Sequence, residues 1–477
     1  MSRQRNVVER FFCRLEDLRR IHTRYEKRAD IFLSALLVVA AHHLVGQLGP
    51  DPRSSPRQPG HPGWRGPLNG DDPRTVTGRI TSDGRTLSGE EKLMSALARS
   101  KNAATFEVVR TQDCRVLAAD GRSAIDFQSG WCVGNLGWSP PEIERALCDF
   151  AGPAYVYPRH RYAPWEELAG ALVEIAPPGL ERCFRATGGS EAVEIALQAA
   201  MLHTGRARFV TIEGCYHGNT LGPRSIGDGE TRRLFPRLGL PTPRTIRPPL
   251  DEARLSQVET ALKRRDVAAM ILEPVICNLG ALVPEPAFLR GVHALCRRYG
   301  TLLILDEVAT GFGRTGRMFA AEHSGVRPDM LILAKAITAG LAPMGATLTS
   351  TAIAESMLKV GAYSTYGWHP RSTAAALANL AWWQANGETL LAHVGTINRL
   401  LAKRLGALGL GPVQGEGLAL GVRTADAKQA ERIRAGCLDK GLLVAAEGDV
   451  VTLFPPLVID EATAVEGLDI LERCAAS

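Results

Sequence analysis

The sequence predicts an α/β enzyme built on a mostly parallel central sheet. Four short apolar runs each close on a polar or charged residue: RFVTIEG (208–214), AAMILEP (268–274), TLLILDE (301–307) and DMLILAK (329–335). Helix-like stretches, such as residues 190–202 and 286–299, lie between them. The 48 glycines suit a loop-rich α/β enzyme better than a helical bundle. Unbroken apolar strands alternating with helices describe a parallel sheet covered on both faces. Ligands bind such sheets beyond the carboxyl ends of their strands, so the polar residues at those ends are the candidates for chemistry.

At the N-terminus, residues 3–30 read as a basic helical segment. Nine Lys/Arg against five Asp/Glu in residues 1–30 give +4 of the chain's formal net charge of +6. The rest is nearly neutral, which speaks against a nucleic-acid-binding body. The apolar run Ile31 to Leu48 is 18 residues long, the lower edge of a membrane span. His42, His43 and Gln47 within it favour one buried helix instead. The segment RNVVERFFCRLEDLRRIHTRYEKRADIFLSALLVVAA resembles the C-terminal end of an insertion-sequence DDE transposase. That resemblance would make Glu9 the last of three metal-binding carboxylates. The two preceding Asp motifs are absent, and one carboxylate cannot hold two catalytic metal ions. Residues 1–48 therefore read as a transposase-like helical remnant, with a native helical extension as the alternative.

Residues 49–73 hold seven Pro and five Gly and cannot bury enough apolar surface to offset their ordering entropy. Residues 49–90 are expected to be a disordered linker. The enzyme body follows. Its 45% hydrophobic and 22% charged residues, taken over the whole chain, exclude a wholly disordered, collagen-like or coiled-coil protein. Ten cysteines, with no Cys-x-x-Cys pair and no His at zinc spacing, read as reduced thiols of a cytoplasmic protein without a metal site.

Four elements of the body carry chemistry. Lys335 follows the apolar run Met330–Ala334. A lysine there loses hydration, which favours the neutral, nucleophilic amine. Taken alone, such a lysine more often reaches solvent. Asp306 closes another strand 29 residues earlier, and a carboxylate there can hold a proton on a heteroaromatic ring nitrogen; alone, it is more often a helix cap. Gly188, Gly189 and Ser190 open the helical pattern ATGGSEAVEIALQAA. Glycines allow close backbone approach and a helix start offers free N–H groups, the makings of a phosphate cradle. Tyr216 and His217, in EGCYHGNT after a strand, offer a stacking ring and a hydrogen-bonding neighbour.

Together, GGSEAVEIAL, EGCYHGNT, ILEPV, LILDEVATGFGRTG, PDMLILAK and STYGWHP resemble the class III aminotransferases, pyridoxal 5'-phosphate enzymes of fold type I. The resemblance runs from about residue 93 to the end. It implies a large cofactor-binding domain over 151–375 and a smaller α/β domain drawn from both chain ends, 91–150 and 376–477. It implies that Lys335 carries the cofactor as a Schiff base and then moves the substrate proton. Asp306 pairs with the ring nitrogen, Val308 packs under the ring and Tyr216 stacks above it. Gly188, Gly189 and Ser190 hold the phosphate with His217 nearby, and Glu273 supports the ring hydroxyl region indirectly. Thr365 binds the phosphate of a neighbouring subunit, which implies a homodimer with shared sites. The partners are an amine donor and a carbonyl acceptor, with no nucleic acid or membrane for the body.

The pattern departs from the family in two places. Many members that act on α-amino acids carry an Arg before the C-terminal PPL, where this chain has Thr452 in VVTLFPPLVID. Many also read EP-x-QGE, where EPVICNLG puts Asn278 in the Glu position. EGCYHG and EPVICNLG look like the glutamate-1-semialdehyde aminomutase branch, whereas GFGRTG and TYGWHP look like ordinary transaminases. Arg159, Arg161 and Arg423 are open candidates for a substrate carboxylate, against the commoner fate of a surface salt bridge. Trp131 either contacts substrate or packs.

Overall fold

The computed structural model describes residues 107–227 and 242–476. The transposase-like head, the run Ile31 to Leu48, the Pro/Gly linker and the first part of the body lie outside them.

Three sheets organise the body. Strands β1 (Val108–Gln112), β2 (Arg115–Ala118) and β3 (Ser123–Asp126) come first. The central strands are β4 (Arg182–Ala186), β5 (Arg208–Ile212), β6 (Arg244–Ile246), β7 (Val267–Leu272), β8 (Leu302–Asp306), β9 (Met330–Leu333) and β10 (Gly345–Thr349). The C-terminal part adds β11 (Val413–Glu416), β12 (Ala419–Arg423), β13 (Leu442–Leu443), β14 (Ala445–Glu447) and β15 (Val450–Leu453).

The central sheet has the order β4-β10-β9-β8-β7-β5-β6. β6, β5, β7, β8 and β9 run parallel, and β10 lies antiparallel between β9 and β4. The four apolar runs of the sequence are β5, β7, β8 and β9. Every residue of β7 and β9 is buried, as expected of strands covered on both faces.

The covering helices have legible ends. The helix Gly189–Thr204 stops at Gly205, whose φ of 68° makes the left-handed cap that glycine adopts without steric cost. The helix Pro286–Tyr299 starts on a proline and ends before Gly300 at φ 61°. The 38-residue helix Pro370–Ala407 buries Trp383, Leu390, Val394, Ile397, Leu401 and Leu405, an apolar stripe at helical spacing.

The two ends of the body share one small sheet, β1-β2-β3-β13, in which β13 pairs parallel with β3 through Leu442 and Ile125. A second small sheet, β11-β12-β15-β14, is antiparallel. A fully buried arginine ties these parts together. Arg314 donates to the carbonyl oxygens of Leu418 at 3.0 Å and Pro455 at 2.6 Å, and to Asn135 Oδ1 at 2.7 Å. Among the described residues no helix is long and apolar enough to cross a membrane, and the described cysteines are all free thiols.

Candidate active site

The parallel strands deliver their polar end residues to one place. Asp306 is the last residue of β8 and stands in register with Ile332 of β9. Lys335 comes three residues later, just past the end of that neighbouring strand. Glu273 comes directly after β7, Tyr216 and His217 lie in the loop after β5, and Gly188 to Ser190 follow β4. These groups line a single cavity of about 800 Å³, together with Trp131, Cys277, Asn278, Val308 and Glu447.

Asp306 is buried and doubly anchored. His217 Nδ1 lies 2.7 Å from Asp306 Oδ2, and the Val308 backbone N–H donates to Oδ1 at 3.1 Å. Burial opposes a charge on the His217 ring, yet the Cys215 thiol and the Asp306 carboxylate beside it lift its pKa well above the ordinary value. Its Nε2 is buried without a partner among the described residues. The Glu273 carboxylate accepts from the Tyr216 backbone N–H at 3.1 Å, which fixes the loop after β5. Burial pushes Glu273 up to about 7.

The anion cradle differs from the sequence expectation in one detail. The helix begins at Gly189, with Gly188 as its cap residue and no side-chain cap bond. Ser190 therefore sits inside the first turn and does not cap the helix. Its Oγ accepts from the Asn219 backbone N–H at 3.1 Å, which leaves the hydroxyl proton to donate elsewhere. A Cβ at position 189 would meet Val308 Cγ1 at 3.2 Å, so the floor of the cradle is close-packed. An uncapped helix start, a hydroxyl with a free proton and a close-packed backbone suit a phosphate.

Lys335 takes a left-handed backbone, φ 47°, at the start of the short 3-10 turn Lys335–Thr338. A non-glycine residue there is strained, and such strain collects at functional positions. Neither composition nor spacing signals it.

The cavity thus offers a primary amine, a buried carboxylate on the adjacent strand, an anion cradle and an apolar face at Val308. An aromatic aldehyde bearing a phosphate and a ring nitrogen, which is what pyridoxal 5'-phosphate is, fits this donor set.

Not every sequence candidate reaches the cavity. Thr365 is exposed and does not line the cavity of its own chain. Arg159 and Arg161 are exposed, and Arg423 pairs with Asp449. Thr452 is fully buried on β15, and its Oγ1 has no partner among the described residues. Trp131 does line the cavity, its ring 5.4 Å from that of Phe454. Glu447 is the charged lining residue that sequence reasoning missed. It lies 112 positions beyond Lys335, in a hairpin that carries no motif of its own.

Comparisons with known proteins give the family. The family described as "Aminotransferase class-III" matches residues 96–475. The chain is 34% identical over 370 residues to an acetylornithine aminotransferase of Archaeoglobus fulgidus, covering 76% of this chain and 94% of that enzyme. It is 33% identical over 399 residues to a 2-aminoadipate transaminase of Pseudomonas putida, again covering 76% of this chain and 94% of that enzyme. Among solved structures, an amine transaminase from an uncultivated Pseudomonas species in its PLP-bound form superimposes with a TM-score of 0.73 at 29% identity, over 80% of this chain and 97% of that one. The chain belongs to the class III aminotransferases.

Proposed function

We propose that this class III aminotransferase, which uses pyridoxal 5'-phosphate to move an amino group from an amine or amino acid to a keto acid or aldehyde, does so through Lys335, Asp306 and Tyr216. When bound, the cofactor supplies an aldehyde for the amine and a ring that absorbs the electron pair left when the substrate C–H bond breaks. Lys335 Nζ holds the resting cofactor. Freed from that role by an incoming amine, it would take the proton from the substrate carbon and deliver it to the cofactor's aldehyde-derived carbon. Asp306 would keep a proton on the ring nitrogen, and His217 keeps Asp306 in position. Gly188, Gly189 and Ser190 bind the phosphate through backbone N–H groups and a hydroxyl, with the helix dipole behind them. Val308 and Tyr216, both lining the cavity, would pack against the ring, and Glu273 holds the Tyr216 loop in place.

The observation that carries this reading is the placement of Asp306 and Lys335 at the ends of adjacent parallel strands facing one cavity. The exposed Thr365 fits a role in the site of a second copy, so the working unit is proposed to be a homodimer acting in the cytoplasm. The division into 91–150, 151–375 and 376–477 is proposed as the domain plan of each copy. The head, residues 1–48, is proposed to take no part in catalysis, and nucleic acid is no partner of the body.

A second reading, an aminomutase of the glutamate-1-semialdehyde type, is favoured by EGCYHG and EPVICNLG. Both segments put residues into the cavity, Tyr216 and His217 from the first, Cys277 and Asn278 from the second. The test is the absorbance of the protein purified with pyridoxal phosphate, followed through a panel of amines. A band that shifts with one amine and recovers only when a keto acid is added supports the transaminase. Recovery without any acceptor supports the mutase. No response to any amine contradicts both.

A further inference from the structure

The cavity is poor in positive charge. Among its described lining residues the basic side chains are Lys335 and His217, with no arginine, against the three carboxylates Asp306, Glu273 and Glu447. Lys335 is committed to the cofactor on the reading above. Asp306 is held by His217 and the Val308 N–H, and Glu273 by the Tyr216 N–H. The Glu447 carboxylate has no hydrogen-bond or ion-pair partner among the described residues.

Glu447 ends β14, opposite Val450 and just before the turn at Gly448, which has φ 59°. It is half-buried, and burial by itself pushes its carboxyl up to about 7. A half-buried carboxyl without a partner is costly unless a ligand supplies one. The turn Cys277–Leu279, which carries Asn278, abuts the same hairpin: a Cβ at Gly280 would stand 2.6 Å from Val450 Cγ1. The Asn278 amide therefore lines the cavity from the element packed against the Glu447 hairpin. The positions that could have gripped a carboxylate do not serve this cavity. Thr452 is uncharged and buried away from it, and Arg423 is spent on Asp449.

We infer that Glu447 selects the amino donor, a diamine whose distal ammonium is taken by the Glu447 carboxylate beside the Asn278 amide. This rests on the assignment of the cavity as the amine site. An ω-amino acid would bring a second negative charge to the same wall and be disfavoured.

The test uses the full chain loaded with pyridoxal phosphate and three sets of donors matched in chain length: α,ω-diamines, monoamines and ω-amino acids. Dissociation constants come from titration of the cofactor absorbance, and kcat/KM from turnover with a keto acid. The expected order is diamine, then monoamine, then amino acid. Glu447→Gln is expected to lower the diamine-to-monoamine ratio in both measurements by about tenfold or more, the usual worth of one hydrogen bond to a charged group. Glu447→Arg is expected to turn the preference towards the amino acid. A ratio unmoved by Glu447→Gln, or a wild-type preference for the ω-amino acid, overturns the inference. A protein whose absorbance responds to no amine at all, and which behaves identically as Lys335→Ala, refutes instead the assignment of the cavity.

Discussion

Replacing Arg314 by methionine tests what joins the two ends of the body to the central sheet. The guanidinium is fully buried and pairs with no carboxylate among the described residues, so it works through hydrogen bonds to two carbonyl oxygens and Asn135 Oδ1. Burial holds its pKa below the ordinary arginine value. Methionine keeps most of the stem volume and removes the donors. Three acceptors then lose their partner at about 1–3 kcal/mol each. Part of that is returned because a poorly compensated charge no longer has to be desolvated. The net loss is about 3–5 kcal/mol. At about 2.1 cal/mol/K per residue, an unfolding unit of roughly 380 residues has an entropy near 0.8 kcal/mol/K, so Tm should fall by about 4–6 °C. Differential scanning calorimetry of the two proteins under identical cofactor loading measures it. Arg314→Lys should be no better tolerated, because a point charge keeps the desolvation cost and cannot span the three acceptors. An unchanged Tm for Arg314→Met, or a lysine variant as stable as wild type, would refute the reasoning.

Other substitutions probe the cradle, the carboxylate and the buried framework. Gly345→Ala would drive its Cβ into the Gly188 carbonyl, so the loop at Gly188 and Gly189 must shift. Pyridoxal phosphate affinity, read by absorbance titration, is expected to drop at least tenfold, and wild-type affinity would show that the loop is not the cradle. Asp306→Asn removes the charge proposed to hold the ring proton while keeping the side-chain shape. Turnover is expected to fall by at least a hundredfold with the cofactor still bound, an effect checked by steady-state kinetics beside the absorbance spectrum. Trp368→Phe strips a buried donor from the Gly345 carbonyl, 2.8 Å away, and should cost about 1–3 kcal/mol in urea unfolding. Burial holds the Glu307 carboxyl at about 7 against its ordinary 4.5, even with the Thr310 hydroxyl and the Ala320 and Ala321 N–H groups donating to it. The folded state thus keeps a proton that the unfolded state releases, and stability falls as pH rises from 4.5 to 7, by up to about 3 kcal/mol. The advantage of wild type over Glu307→Gln should therefore shrink across that window in denaturant titrations at several pH values.

The central sheet is legible in the sequence because its strands are short, wholly apolar and ended by polar residues. β7 and β9 are buried throughout, so no alternation obscures them. Asp306 and Lys335 are legible for the same reason, since the end of a buried strand is where a charged residue stands out. What escapes is non-local. β13 is two residues long and exists because it pairs with β3, more than 300 positions earlier, a contact no local pattern encodes. Glu447 reaches the cavity through the β14–β15 hairpin, which is placed by the pairing of β15 with β12. The left-handed backbone of Lys335 follows from the tight 3-10 turn packed after β9, not from any preference of lysine. The helix starts at Gly189, one residue before the expected Ser190, whose hydroxyl accepts from the Asn219 N–H of a loop outside the helix.

The most direct test of the chemistry is to fix the cofactor where it sits. The protein purified with pyridoxal phosphate is treated with borohydride, digested and mapped by mass spectrometry. A phosphopyridoxyl group on the peptide carrying Lys335, and on no other lysine, is the expected result, and it should disappear in Lys335→Ala. A modified lysine elsewhere in the chain, or an unmodified Lys335 peptide from protein that turns over amines, would contradict the assignment of Lys335 as the residue that holds the cofactor.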